Sequence, residues 1–239
     1  MPGSTSLLAE PLGPSLGIQA QLPILLAEYP FRTQQDIADY LHLLQDLPRY
    51  FSDLIALEQE KSRQGVFQND LAVDGIIRQC SAFLADADTP EIHLLHTVFQ
   101  NKLQASSLFS EAERNLCLQT HEKLLTSCVF PAYRSLSDAL SSLRGKGTQN
   151  AGGLSRQEGG LSYYAYLLRS RVGVDASPEE LTRLLTQQLA DQCAEMQIIL
   201  DQNPSLSLSE QALVLPFSTP EEMLADLQNA VSEDFPVLS

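Results

Sequence analysis

Helix-start signals recur along this chain, and each is followed by apolar residues at helical intervals. They are Thr33 with Asp36, Thr89-Pro90-Glu91, Ser110-Glu111-Ala112-Glu113, Ser177-Pro178-Glu179-Glu180 and Thr219-Pro220-Glu221-Glu222. In each, a hydroxyl is placed to accept an otherwise unpaired backbone N–H, and a carboxylate faces the positive end of the helix. After Thr33, the residues Ile37, Tyr40, Leu41, Leu44 and Leu47 mark one buried face. Pro48 suits the first turn of a new helix, with Tyr50, Leu54 and Leu57 in one row, Phe51 and Ile55 beside it, and Gly65 as its stop. A further helix starts near Asn69 and carries Val73, Ile76, Ile77, Cys80, Phe83 and Leu84. The helix from Thr89 carries Ile92, Leu95, His96, Phe99 and Leu103. Leu181, Leu185, Leu189, Cys193, Met196 and Leu200 form another stripe, as do Met223, Leu224, Leu227 and Val231. No alternating strand pattern and no fixed-period repeat stands beside these, so an all-α, irregular array of about eight helices is expected.

Residues 1–30, rich in proline, leucine and serine without clear period, read as an extended lead-in. Residues 31–239 then read as a single helical domain.

Between the start at Ser110 and the one at Ser177, the punctuation is denser. A helix interrupted at Pro131 runs down to a loop holding Gly145, Gly147, Gly152, Gly153, Gly159 and Gly160, half of the chain's 12 glycines. The chain re-enters a helix at Leu161 with Tyr163, Tyr164 and Tyr166 close together. Such a loop is either a plain connection or a place where glycine lets backbone approach a ligand or another segment closely. The tyrosines are either core or the amphipathic lining of a cleft. Gly153, Gly160, Tyr163 and Tyr164 are therefore the candidate cleft-lining residues.

Chemistry is otherwise sparse. His121-Glu122 begins like a zinc-protease helix, but Leu125 stands where the second histidine belongs. Glu91, His93 and His96 form a small cluster, with His96 on the apolar stripe and better read as a core residue. No nucleophile elbow, phosphate loop or dinucleotide fingerprint is present. No catalytic residue, metal ligand or cofactor is assigned within this chain. A net charge of −15, with only 15 Lys and Arg, argues against nucleic acid as a partner. Cys80, Cys117, Cys128 and Cys193 are far apart and read as small thiols within helices, not as a disulfide framework. No apolar run reaches the roughly 20 residues needed to span a bilayer, and the N-terminus lacks a basic signal-peptide region.

Several motifs together carry a family resemblance. Leu25-Leu-Ala-Glu-Tyr-Pro-Phe-Arg-Thr33, Asp36-Ile37, Tyr40-Leu41, Pro48 with Tyr50-Phe51, Gly65 with Phe67, and Pro131-Ala-Tyr133 occur in order. Gly153-Leu154, Gly160, Tyr163-Tyr164, Pro220-Glu-Glu-Met223 and Asp234-Phe-Pro236 continue the series. This set resembles the bacterial family catalogued as domain of unknown function 885. The resemblance implies a long, mostly helical protein, often exported or lipid-anchored, similar to glutamate-zincin metallopeptidases and carrying a His-Glu…His segment in its C-terminal half. On that basis the chain is expected to be the non-catalytic N-terminal half. Its partner would be the missing catalytic half, with zinc held there and a peptide as substrate. The apolar ending Phe235-Pro-Val-Leu-Ser239 fits that expectation. Two positions depart from the pattern: Glu158 stands where the family has proline, and Leu161 where it has a basic residue. The competing expectation is a stand-alone helical binding or scaffold protein without enzymatic activity.

Overall fold

The structure is a computed structural model that describes residues 5–106, 108–147, 153–203, 216–217 and 219–234. Positions 148–152 of the glycine loop and the apolar ending 235–239 lie outside the described residues. The fold is all-α, with no strand among the described residues. The chain divides into two compact units, Met1–Ser177 and Pro178–Ser239.

In the first unit, α2 (Gln34–Arg63) is the central rod. Thr33 and Asp36 form the capping box, the Asp36 carboxylate accepting from the Thr33 N–H at 2.8 Å. The buried row is Ile37, Tyr40, Leu44, Leu47, Phe51 and Leu54, continuing to Glu58 and Lys61. Pro48 does not divide this helix as the sequence led us to expect; α2 runs through it. An internal proline costs about 3 kcal/mol, whereas each large apolar side chain buried gains about 1.5–3 kcal/mol. Leu44, Leu47, Phe51 and Leu54 keep one register across the proline, so their packing outweighs the lost hydrogen bond.

Around α2 lie α3 (Asp70–Phe83), α4 (Leu94–Ala105), α5 (Glu111–Leu124) and α6 (Phe130–Leu143). Asn69 caps α3, and Ser110 with Glu113 forms the capping box of α5. The helix expected from Thr89 begins later: Pro90–Ile92 is a 3-10 turn and Ile92 is exposed. His93 then caps α4, its Nδ1 accepting from the Leu95 N–H at 3.3 Å.

Pro131 does not interrupt its helix either. Leu125–Val129 is a π turn that joins α5 to α6, with the Phe130 N–H bonded to the Leu125 carbonyl five residues back. The wider turn makes room for the proline ring, which would otherwise press on the carbonyl four residues earlier. α6 buries Phe130, Ala132, Tyr133, Leu136, Leu140 and Leu143, packing on α2 and α3.

The lead-in is not extended. It holds a 3-10 turn at Thr5–Leu8 and then α1 (Ile18–Glu28), which packs on α3 and α4. Ile18, Leu22 and Leu26 are the inward row. Ile24 and Leu25 are apolar and exposed on the other side, so the one-faced period is blurred. Lys102 Nζ fastens the end of α1 by donating to the Ala27 carbonyl and, at 2.8 Å, to the Tyr29 carbonyl. α7 (Gly160–Leu167) closes this unit and passes into a π turn at Leu168–Val172.

The second unit contains α8 (Pro178–Gln202) and α9 (Pro220–Asp234). Thr219 Oγ1 accepts the Glu222 N–H at 3.2 Å, as its start signal implies. Along α8, Leu185 and Leu189 are both 62% exposed and Met196 is 49% exposed.

Candidate functional site

The glycine loop is anchored at both described ends. On the first side, the Gly145 N–H donates to Asp70 Oδ1 at 2.8 Å and Arg144 pairs with Asp74 at 3.0 Å, fixing it to the start of α3. On the second, Gly153–Arg156 forms a 3-10 turn, and Gly159 adopts φ +72° to cap α7. Gly160 is packed so closely that a Cβ there would lie 1.7 Å from the Leu154 carbonyl oxygen. At Gly160 the close approach is thus made to the loop's own backbone, and at Gly147 it is made to the Gln68 carbonyl oxygen, 2.1 Å from where a Cβ would lie.

This packing sets the 3-10 turn and α7 beside the lead-in and forms two adjoining hollows. One, about 440 Å³, is lined by Gly153, Leu154 and Gln157 together with Pro14, Phe67 and Gln68. The other, about 670 Å³, is lined by Tyr163, Leu167 and Arg171 together with Pro11, Leu16 and Ile18. Leu8, Glu10 and Leu154 belong to the walls of both, so the hollows adjoin as one trough. Volumes of this size suit small ligands.

The candidate residues separate here. Gly153 and Tyr163 stand in the trough walls. Gly160 is buried beneath, and Tyr164 is 41% exposed and outside the residues lining either hollow. The Tyr163 phenol is pushed above its ordinary range, first by burial and then by Tyr166; Arg171 draws it down and Glu10 raises it further. Both charged groups therefore act on this hydroxyl. Neither Glu10 nor Arg171 enters an ion pair among the described residues, whereas the nearby Arg169 pairs with Asp175 at 3.7 Å.

Behind the lead-in lies a charged pair that the apolar pattern did not foretell. Glu58 and Lys61 are fully buried and 3.5 Å apart, and Lys61 Nζ also donates to the Ala9 carbonyl at 3.1 Å. Burial raises the Glu58 carboxyl, and Lys61 partly offsets that. The pair fastens the lead-in to α2 immediately before Glu10.

His93 and His121 are built into the packing of the first unit. His121 is fully buried and stacked on Phe99, with ring centroids 4.2 Å apart, and its Nε2 meets the Tyr40 hydroxyl at 3.2 Å. Burial, then His96 and His93, push it down to about 3, so the ring is neutral. His93 Nε2 donates to the Phe83 carbonyl at 3.0 Å while Nδ1 caps α4, which uses both ring nitrogens. Zinc needs three or four convergent ligands. Among the described residues, no group of three His, Cys, Asp or Glu side chains is arranged to hold a metal. The four cysteines are free thiols, and burial raises Cys80 to about 12. No helix of the described residues is long and apolar enough to cross a membrane.

What the geometry defines is an all-helical unit with a walled trough and without a described metal centre. The chain belongs to the bacterial protein family of unknown function DUF885, whose pattern it matches over residues 6–236. Among solved structures it is similar to a protein from Colwellia psychrerythraea provisionally described as a lipoprotein, with a TM-score of 0.79 at 19% identity. That likeness covers 93% of this chain and 40% of the other, so the chain spans about two fifths of its solved relative's length. No curated protein matches it.

Proposed function

We infer that these residues form the non-catalytic helical part of a zinc metallopeptidase-like hydrolase and that the trough is one wall of its substrate cleft. The observation that carries this is the coverage: nearly the whole chain superposes on a relative more than twice as long. The family resemblance puts the metal-binding segment of such proteins in the other half. The chain's own share of the work is to bind and orient. Tyr163 and the leucines of the trough offer apolar surface, and Glu10 and Arg171 offer charge at its rim. Zinc and the general base would come from residues beyond this sequence, as would the polarisation of the scissile carbonyl.

Elemental analysis of the purified chain after dialysis against a zinc-containing buffer tests this. Well under one zinc per chain is the expected result, with no peptide hydrolysis. One tightly held zinc per chain, or peptidase activity abolished by Glu122→Gln, would overturn it.

A further inference from the structure

We propose that the trough between the lead-in and α7 binds a short zwitterionic peptide, with its ammonium end at Glu10, its carboxylate end at Arg171 and an apolar side chain against Leu16, Leu154 and Leu167. This deepens the reading above and rests on it, since it assigns the ligand class of the same cleft.

Arg171 shares a hollow with Glu10, and neither enters an ion pair among the described residues. An anionic ligand would gain from Arg171 and be repelled by Glu10, and a cationic one the reverse. A ligand carrying both charges meets both walls, trading the water around two exposed charges for charge-assisted hydrogen bonds. The rest of the lining selects the body of that ligand. Leu8, Leu16, Leu154 and Leu167 supply apolar surface, and Tyr163 presents a buried ring. The volume of about 670 Å³ holds a di- or tripeptide and excludes a folded chain. Glu10 is held from below: Lys61 grips the preceding carbonyl at 3.1 Å from inside the core, so the carboxylate is presented on a fixed backbone.

The probe is the dipeptide Leu-Leu, titrated into the full purified chain by calorimetry beside N-acetyl-Leu-Leu and Leu-Leu amide. Leu-Leu is expected to bind. Acetylation should weaken it about tenfold, as should Glu10→Gln, and acetylation should have no further effect in that variant. Amidation and Arg171→Gln should form a second such pair. Both side chains are exposed, so the variants should keep the parent's thermal midpoint, which circular dichroism checks. Absence of Leu-Leu binding at millimolar concentration overturns the proposal. So does binding that is indifferent to both end groups and both substitutions. A chain that ignores Leu-Leu yet holds no zinc and cleaves no peptide loses this inference alone. A chain that hydrolyses Leu-Leu by itself overturns the proposed function and leaves the binding assignment in place.

Discussion

α2 and α8 have nearly the same sequence character and opposite fates. Both open on a start signal and carry a long stripe of leucines and other apolar residues at helical spacing. In α2 that stripe is buried, with Tyr40, Leu44 and Phe51 at 1% exposure or less. In α8, Leu185 and Leu189 are 62% exposed and no residue of the helix is buried. Helical period states which face a helix is able to bury. Whether that face is covered depends on the other elements, which no single stripe encodes.

The comparison breaks most easily at Phe51. Phe51→Ala removes a ring packed 4.8 Å from Tyr133 and should cost about 3–5 kcal/mol in urea-induced unfolding. A cost under about 1 kcal/mol would show that α2 is not the organising rod. Gly160→Ala comes next, because its methyl would press on the Leu154 carbonyl; about 1–3 kcal/mol is expected, with altered burial of Tyr163 read by quenching of tyrosine fluorescence.

His121 is depressed in the folded chain to about 3 from an ordinary 6.5, so the unfolded chain binds the extra proton between those values. Stability from this group is fully present above about 6.5 and is lost as pH falls toward 3, by up to about 1.4 kcal/mol per unit. His93, lowered by burial, adds in the same direction, while Glu58, raised by burial, works in the opposite one. His121→Phe should therefore flatten, not abolish, the slope of unfolding free energy between pH 6.5 and 5. An unchanged slope would mean that His121 titrates normally. The smallest effect belongs to α8: Leu189→Ala should change stability by less than about 0.5 kcal/mol. A loss as large as that at Phe51 would place Leu189 in a core and remove the contrast.

Much of the fold was legible in the sequence because the chain marks its helix starts with local chemistry. The capping boxes at Thr33 and Ser110 form with the residues the motifs name. At Pro48 the proline was read as a local stop and packing overrode it; at Pro131 the π turn at Leu125–Val129 accommodates the ring, and after Thr89 a 3-10 turn delays the helix. In α1, Pro23 together with apolar residues on both sides hid a helix from any one-faced pattern. The site was half legible. Glycine and tyrosine density pointed to Gly153 and Tyr163, which stand in the trough walls, but could not tell Tyr163 from Tyr164, since only the folded chain shows which side of α7 meets the trough. Glu10, Arg171 and Gln68 gave no signal at all. They lie far apart in sequence, in segments without period, and only the folded chain places them around the same trough.

The most direct test of the division of labour proposed here is peptide hydrolysis measured side by side in one zinc-containing buffer. One sample is this chain alone, and the other is a family-length polypeptide that continues through the His-Glu…His segment. The expected result is turnover by the longer polypeptide only, lost when its zinc is chelated. Turnover by the chain alone, at a rate comparable with the longer polypeptide, would contradict it.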